Sequence, residues 1–229
     1  MTTAKYSIFP VNAADIPVLV ELLYSLKTAL TFNRVLFKHW PNEAAQKALY
    51  RATLENTLAQ ITTIESLKAV DDETGEIIGY VAVSRESPIR NPTEQQKQHS
   101  NAEGGSGCRG QEQIEDLNDF HPEVYAAAIR ACLELQRRNE PFEHFEITYV
   151  GVKPTCRKRG IGAKLIQECF YRAEKAGIPL TLNAEPEALD FYLKLGFTET
   201  GHADIDLAQW ATPNSGLGNF RWTGMIWHP

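Results

Sequence analysis

The stretch Val152-Lys153-Pro154-Thr155-Cys156-Arg157-Lys158-Arg159-Gly160-Ile161-Gly162-Ala163 decides the fold of this chain. Ahead of it, Phe145 to Val152 is an apolar, β-branched run that reads as a strand. Beyond it, Ile161, Leu165, Ile166, Cys169, Phe170 and Ala173 recur at helical spacing. A tight turn from strand to helix leaves several backbone N–H groups unpaired at the positive helix end, a site suited to a pyrophosphate. Gly160 and Gly162 let the backbone approach such an anion, since no Cβ stands in the way. Lys153, Arg157, Lys158 and Arg159 add positive charge around it.

Three phosphate-loop patterns compete for this turn. A nucleotide P-loop needs Gly-Lys-Ser/Thr at its end, and here Gly162 is followed by Ala163, Lys164 and Leu165. A dinucleotide loop needs a third glycine at position 165, which is Leu, and its turn is shorter and less basic. What remains is Arg157-x-x-Gly160-x-Gly162 after a strand that ends at Val152. Further on, Ile178 to Ala184 reads as a short strand that leads into Glu185-Pro186-Glu187-Ala188-Leu189-Asp190-Phe191-Tyr192-Leu193-Lys194-Leu195-Gly196-Phe197. Pro186 suits a first helical turn, Gly196 supplies the positive-φ stop, and Phe197 restarts a strand.

These two linked segments resemble the coenzyme A loop, [QR]-x-x-G-x-[GA], and the closing A-x-x-[FL]-Y-x-K-x-G-F motif of the GNAT N-acetyltransferase superfamily. The resemblance implies an α/β fold: a mixed, mostly antiparallel twisted sheet of about six to seven strands, with helices on both faces. It also implies an enzyme that moves an acetyl group from acetyl-coenzyme A to a primary amine by direct attack, with no metal.

Composition agrees with one such domain over residues 1–229. A chain of 229 residues with 43% hydrophobic content can bury one sizeable core. The net charge of −6 provides no general attraction to nucleic acid. Four cysteines (Cys108, Cys132, Cys156 and Cys169) show no CxxC or metal-ligand spacing, so unpaired thiols are expected. There is no signal-peptide core at the N-terminus and no run long enough to span a membrane. The expectation is a soluble cytoplasmic protein, monomer or homodimer, with the nucleus left open as a location.

Along the chain, a strand near Tyr6–Phe9 precedes a cap at Asn12 or Asp15. A helix carrying Ile16, Leu19, Val20, Leu23, Leu26 and Leu30 follows. A second helix starts near Asn42, with Ala45, Leu49, Ala52 and Leu58 on its stripe. A hairpin spans positions 63–84, turning at 71–75. Positions 85–118 are polar and Gly-containing, and they read as a mobile insertion. Pro122 opens a helix to about Arg138, and the last two strands lie near 197–206 and 219–227.

Residue roles follow from the resemblance. The strand 147–152 splays from its neighbour, so that backbone groups at Val150 and Val152 bond the pantetheine arm, the Val152 N–H serving as oxyanion donor. N–H groups of Arg157, Lys158, Arg159, Gly160, Ile161, Gly162 and Ala163 hold the pyrophosphate. Asn183 bonds the cofactor or closes a turn; the family often has Asn where this chain has Glu185. Tyr192 is the expected general acid toward the leaving thiolate, the alternative being a core aromatic that only orients the cofactor. Glu146 is the expected base, with His144 or a water chain as alternatives. Strand alternation places Glu146, Thr148, Val150 and Val152 on one face.

Family acceptor pockets are usually built from the first helices and the last hairpin. Here those segments bring Phe32, Phe37, His39, Trp40, Tyr50, Trp210, Phe220, Trp222 and Trp227. Such rings suit a small amine, and the acidic balance favours a cationic one weakly. Two other readings stay open at this point: a protein or peptide N-acetyltransferase, and a non-catalytic acyl-coenzyme A-binding module.

Overall fold

The computed structural model describes residues 5–60, 63–88 and 119–229. Strand β1 (Tyr6–Pro10) leads into helix α1 (Ile16–Lys27) through a reciprocal cap. The Asn12 Oδ1 accepts from the Ala14 N–H at 2.9 Å, and the Asp15 carboxylate accepts from the Asn12 N–H at 2.8 Å. Asp15 also holds the ammonium of Lys68, in the second strand, at 2.5 Å, and each side chain is only 13% exposed. Replacing Asp15 by Ala removes a cap, commonly worth about 1 kcal/mol, and leaves a buried lysine without its carboxylate, which costs more. Urea unfolding is expected to register a loss of about 3 kcal/mol. A loss under about 1 kcal/mol would mean that the ion pair adds nothing to the cap.

Helix α1 ends earlier than its apolar stripe suggests. The Asn33 Nδ2 donates to the Lys27 carbonyl at 2.9 Å and satisfies a C-terminal acceptor there. Leu30 therefore sits outside α1 and precedes a short helix, α2 (Thr31–Leu36), which the sequence reading lacks. Six residues with no capping side chain carry no readable period; burial of Phe32, Val35 and Leu36 holds them. Helix α3 (Glu43–Ala59) starts after Asn42 as expected. Its inward stripe is Gln46, Leu49, Tyr50, Thr53 and Leu54, and Ala52 faces outward.

The hairpin is β2 (Ile64–Asp71) and β3 (Ile77–Glu86). Arg85 and Glu86, expected to open the polar insertion, instead complete β3 opposite Phe145 and His144. The rest of that expected insertion, residues 89–118, lies outside the described residues. Next come α4 (Pro122–Gln136), β4 (His144–Val152), α5 (Ile161–Ala176), β5 (Leu180–Ala184), α6 (Leu189–Lys194), β6 (Thr198–Asp206) and β7 (Asn219–Trp227). The strands form one seven-stranded sheet in the order β1-β2-β3-β4-β5-β7-β6. Among the described residues only β4 and β5 pair in parallel, because α5 carries the chain back across the sheet between them. The α/β class, the mixed and mostly antiparallel sheet and the helices on both faces agree with the sequence reading.

Two cores result, one on each face. Helices α1 to α4 pack on one side around Leu19, Tyr80, Val124 and Phe220. Helices α5 and α6 pack on the other around Val81, Leu165, Leu180 and Phe197. Cys156 and Cys169 are buried free thiols, whereas Cys132 is held in a disulfide, against the expectation of unpaired thiols. Spacing along a chain does not show which side chains a fold brings together.

Candidate active site

Strand β4 is irregular where the site forms. Ala82 of β3 faces Tyr149, but Val83 faces Ile147, so Thr148 is an extra residue bulged out of the ladder. The bulge switches the strand's alternation. Phe145 and Ile147 belong to the α5-side core, and after the bulge Val150 and Val152 pack there too. Tyr149 packs on the α1 side, and a Cβ on Gly151 would lie 2.3 Å from Leu26 of α1. Glu146 therefore does not share a face with Val150 and Val152, contrary to simple alternation. It points to the α1 side together with Tyr149.

The bulge also ends the β4–β5 pairing. The parallel ladder runs only from Phe145–Leu180 to Ile147–Leu182. Beyond it, Asn183 and Ala184 stay paired to β7, and Tyr149 to Val152 stay paired to β3. The two strands thus part in mid-sheet, leaving backbone groups of β4 facing the gap.

On one side of the split lies the glycine loop. Pro154–Cys156 makes a single tight turn beneath which the Cys156 thiol is buried. Gly160 then takes φ +81°, and no atom lies within 4 Å of where its Cβ would be. The glycine is required by conformation and not by crowding. The first helical hydrogen bond of α5 runs from the Lys164 N–H to the Gly160 carbonyl, so the N–H groups of Gly160 to Ala163 precede the helical ladder. Gly162 brings α5 close to the strand: a Cβ there would lie 3.6 Å from Val152 and 3.4 Å from Phe191. The basic side chains are largely engaged with the protein itself. Lys153 pairs with Glu76, Arg159 reaches Asp71 at 3.4 Å, and the Arg157 Nε donates to the Val152 carbonyl at 3.5 Å. Lys158 is exposed and forms no ion pair among the described residues.

On the α1 side of the split is a cavity of about 110 Å³. At roughly 10–15 Å³ per water site, it holds several waters or the body of one small amine. Glu146, Thr148 and Tyr149 form one lip, and Asn183 and Glu185 form the other. Five of the nine rings singled out in the sequence line it: Phe32, Phe37, Tyr50, Phe220 and Trp222. Phe32, Phe220 and Trp222 stand in mutual contact with centroids 5.4 Å apart, which makes one wall rigid and apolar. The others lie elsewhere; Trp227 stacks on Phe170 at 4.2 Å on the far face.

The polar groups of the cavity form a chain. The Lys27 Nζ donates to the Glu185 Oε1 at 2.7 Å and lies 5.4 Å from the centre of the Tyr149 ring. The Asn33 Nδ2 reaches the Tyr50 hydroxyl at 3.4 Å, and that hydroxyl donates to the Gln46 Oε1 at 3.2 Å. Burial pushes the Tyr50 and Tyr149 phenols above their ordinary value, so both are neutral hydrogen-bond donors near neutral pH. Lys27, Tyr149 and Asn33 were not anticipated from the sequence. Tyr149 changes face only because of the bulge.

Glu146 is 6% exposed and lines the cavity. His144 does not line it. Its Nδ1 lies 2.9 Å from the Phe142 carbonyl, an acceptor, so that nitrogen carries its proton inward to the backbone. Tyr192, on α6, belongs to the opposite core, edge-on to Phe191 and Phe197 with centroids 5.1 and 5.6 Å away. Burial, with smaller contributions from Glu185 and Cys169, raises its phenol above the ordinary range. Among the described residues no group of three or more His, Cys, Asp or Glu could hold a metal ion, and no helix is long and apolar enough to cross a membrane.

The candidate site is thus a mixed sheet parted between two parallel strands, with a glycine loop on one side and a small cavity on the other. Residues 121–199 match the family model of the acetyltransferase (GNAT) domain. No curated protein sequence matches the chain significantly. Solved structures match over nearly its whole length. Arylalkylamine N-acetyltransferase 2 from Aedes aegypti is 13% identical, covers 98% of this chain and 99% of its own, and has a TM-score of 0.61. An agmatine N-acetyltransferase is 15% identical with the same coverage and a TM-score of 0.61. A histone acetyltransferase HPA2-related protein from Corynebacterium glutamicum is 21% identical, covers 98% of this chain and 96% of its own, and has a TM-score of 0.57. Residues 121–199 thus match the GNAT acetyltransferase domain, and the chain shares the fold of these solved structures.

Proposed function

We propose that this protein transfers an acetyl group from acetyl-coenzyme A to the primary amine of a small molecule. The observation that carries the reading is the parted β4–β5 pair, with N–H groups of a helix start on one side and a small ring-lined cavity holding Glu146 on the other. The N–H groups of Gly160 to Ala163 suit the pyrophosphate, with Arg157, Lys158 and Arg159 at its rim. Backbone groups at Val150 and Val152 suit the pantetheine arm, and Asn183 lies on the facing lip. The Val152 N–H is the candidate oxyanion donor.

In this scheme the neutral amine nitrogen attacks the thioester carbonyl, a C–N bond forms and the C–S bond breaks. Glu146, on the amine side of the split, takes the proton that the amine sheds. Tyr192, on the coenzyme side, gives its phenolic proton to the leaving thiolate. A phenol held above its ordinary pKa remains protonated and able to donate. The cavity's small volume favours a small amine over a folded polypeptide as acceptor. Cytoplasmic location and an assembly no larger than a homodimer remain part of this reading.

Free-thiol release from acetyl-coenzyme A over a panel of arylalkylamines, polyamines, amino acids, amino-sugars and short peptides tests it. At least one small amine is expected to release coenzyme A, and Glu146→Gln is expected to lower its kcat/KM by roughly a hundredfold at neutral pH. Release with short peptides alone would favour a protein acceptor. Coenzyme binding with no release on any amine would reduce the protein to a binding module.

A further inference from the structure

The cavity wall carries an ion pair that the proposed chemistry does not use. Lys27 closes α1 and reaches across the cavity to Glu185, just past the end of β5, at 2.7 Å. The two side chains keep 26% and 30% exposure, so both charged heads border the space where an acceptor would lie. Burial works against the Lys27 ammonium, but the Glu185 carboxylate and Tyr149 outweigh it and hold its pKa above the usual lysine value. The cavity's titratable lining otherwise consists of Glu146, Tyr50, Tyr149 and Cys132. The two phenols are kept neutral by burial and Cys132 is in a disulfide, so the acid and base side chains left in the lining are Lys27, Glu185 and Glu146.

We infer that the Lys27–Glu185 pair is a two-sided charge filter, which restricts the acceptor to a monoamine with an uncharged apolar or aromatic tail. The inference rests on the acetyl-transfer reading above. In a cavity this small, a second ammonium on the acceptor comes close to the Lys27 ammonium, while a carboxylate comes close to Glu185. Neither Lys27 nor Glu185 is a free partner for an intruding charge, because each already holds the other, and Glu146 serves the reacting amine. The Phe32, Phe220 and Trp222 wall offers a tail only apolar contact. Lys27 and Glu185 are specificity residues in this scheme and take no part in the bond changes.

The test compares 2-phenylethylamine (one charge), agmatine (two positive charges) and phenylalanine (a zwitterion). Dissociation constants are measured by calorimetry on coenzyme A-saturated protein, and kcat/KM by thiol release. Wild type is expected to prefer 2-phenylethylamine over each of the others by tenfold or more. Lys27→Met leaves Glu185 uncompensated and is expected to improve agmatine at least tenfold relative to 2-phenylethylamine. Glu185→Gln frees the Lys27 ammonium and is expected to improve phenylalanine relative to 2-phenylethylamine. A merely structural role would shift all three ligands by one common factor, whereas a filter shifts the two ratios in opposite senses.

Equal affinities in wild type, a common shift in both variants, or failure of all three ligands to bind would overturn the filter. Binding with the expected ratios but no thiol release would retain the filter and sink the acetyl-transfer reading. Thiol release with flat ratios would do the reverse.

Discussion

Replacing Gly160 by Val is expected to weaken acetyl-coenzyme A binding about a hundredfold or more, while the protein stays folded. Gly160 holds φ +81° at the start of α5, where a β-branched residue is strongly disfavoured. The space around it is open, so the substitution meets no clash and the penalty falls on backbone conformation. Relief of that strain means moving φ out of the left-handed region, which turns the N–H groups of Gly160 to Ala163 away from a shared centre. Gly162→Ala is the natural companion. Its Cβ would meet Phe191 at 3.4 Å and Val152 at 3.6 Å, an ordinary contact, and affinity is expected to change less than fivefold. Calorimetric titration with acetyl-coenzyme A and far-ultraviolet circular dichroism measure the two quantities. Undiminished binding by Gly160→Val would remove the loop from the coenzyme site. Equal damage from both variants would point to the packing of α5 on the sheet as the cause.

Tyr192→Phe is expected to lower kcat by roughly ten- to a thousandfold with coenzyme affinity unchanged, the pattern of a lost proton donor. The residue's surroundings make the variant clean. Phe keeps the edge-on contacts with Phe191 and Phe197 and removes only the hydroxyl. Because burial raises the phenol's pKa above its ordinary value, deprotonation of Tyr192 should impose no fall in turnover between about pH 6 and pH 9. Steady-state kinetics at saturating acetyl-coenzyme A, run beside thermal melts, separate the two roles. Unchanged kcat together with a lowered Tm would leave Tyr192 as a core aromatic whose hydroxyl does no chemistry.

Much of the architecture is legible in one dimension because it rests on local physics. The turn around Gly160, the helical stripe of Ile161, Leu165, Ile166, Cys169 and Ala173, and the stop at Gly196 each follow from backbone preference or period. The reading loses accuracy where tertiary burial overrides local pattern. Thr31–Leu36 is helical with no cap or period of its own, and Ala52 faces solvent while Gln46 and Thr53 are buried. The same holds for Cys132, whose disulfide no spacing announces.

By itself the sequence determined the glycine loop, the order of the strands and longer helices and the family resemblance, since these depend on residues close together in the chain. Only the tertiary structure decided which way Glu146 points. The ladder reaches its Thr148 bulge through β3, 66 positions away in the chain, and that single extra residue reverses the strand's alternation. Only the tertiary structure, too, brought Lys27 to Glu185 across 158 positions and made a charged pair of them. Contacts at such separation are set by how helices pack on a sheet, and periodicity along the chain carries no record of it.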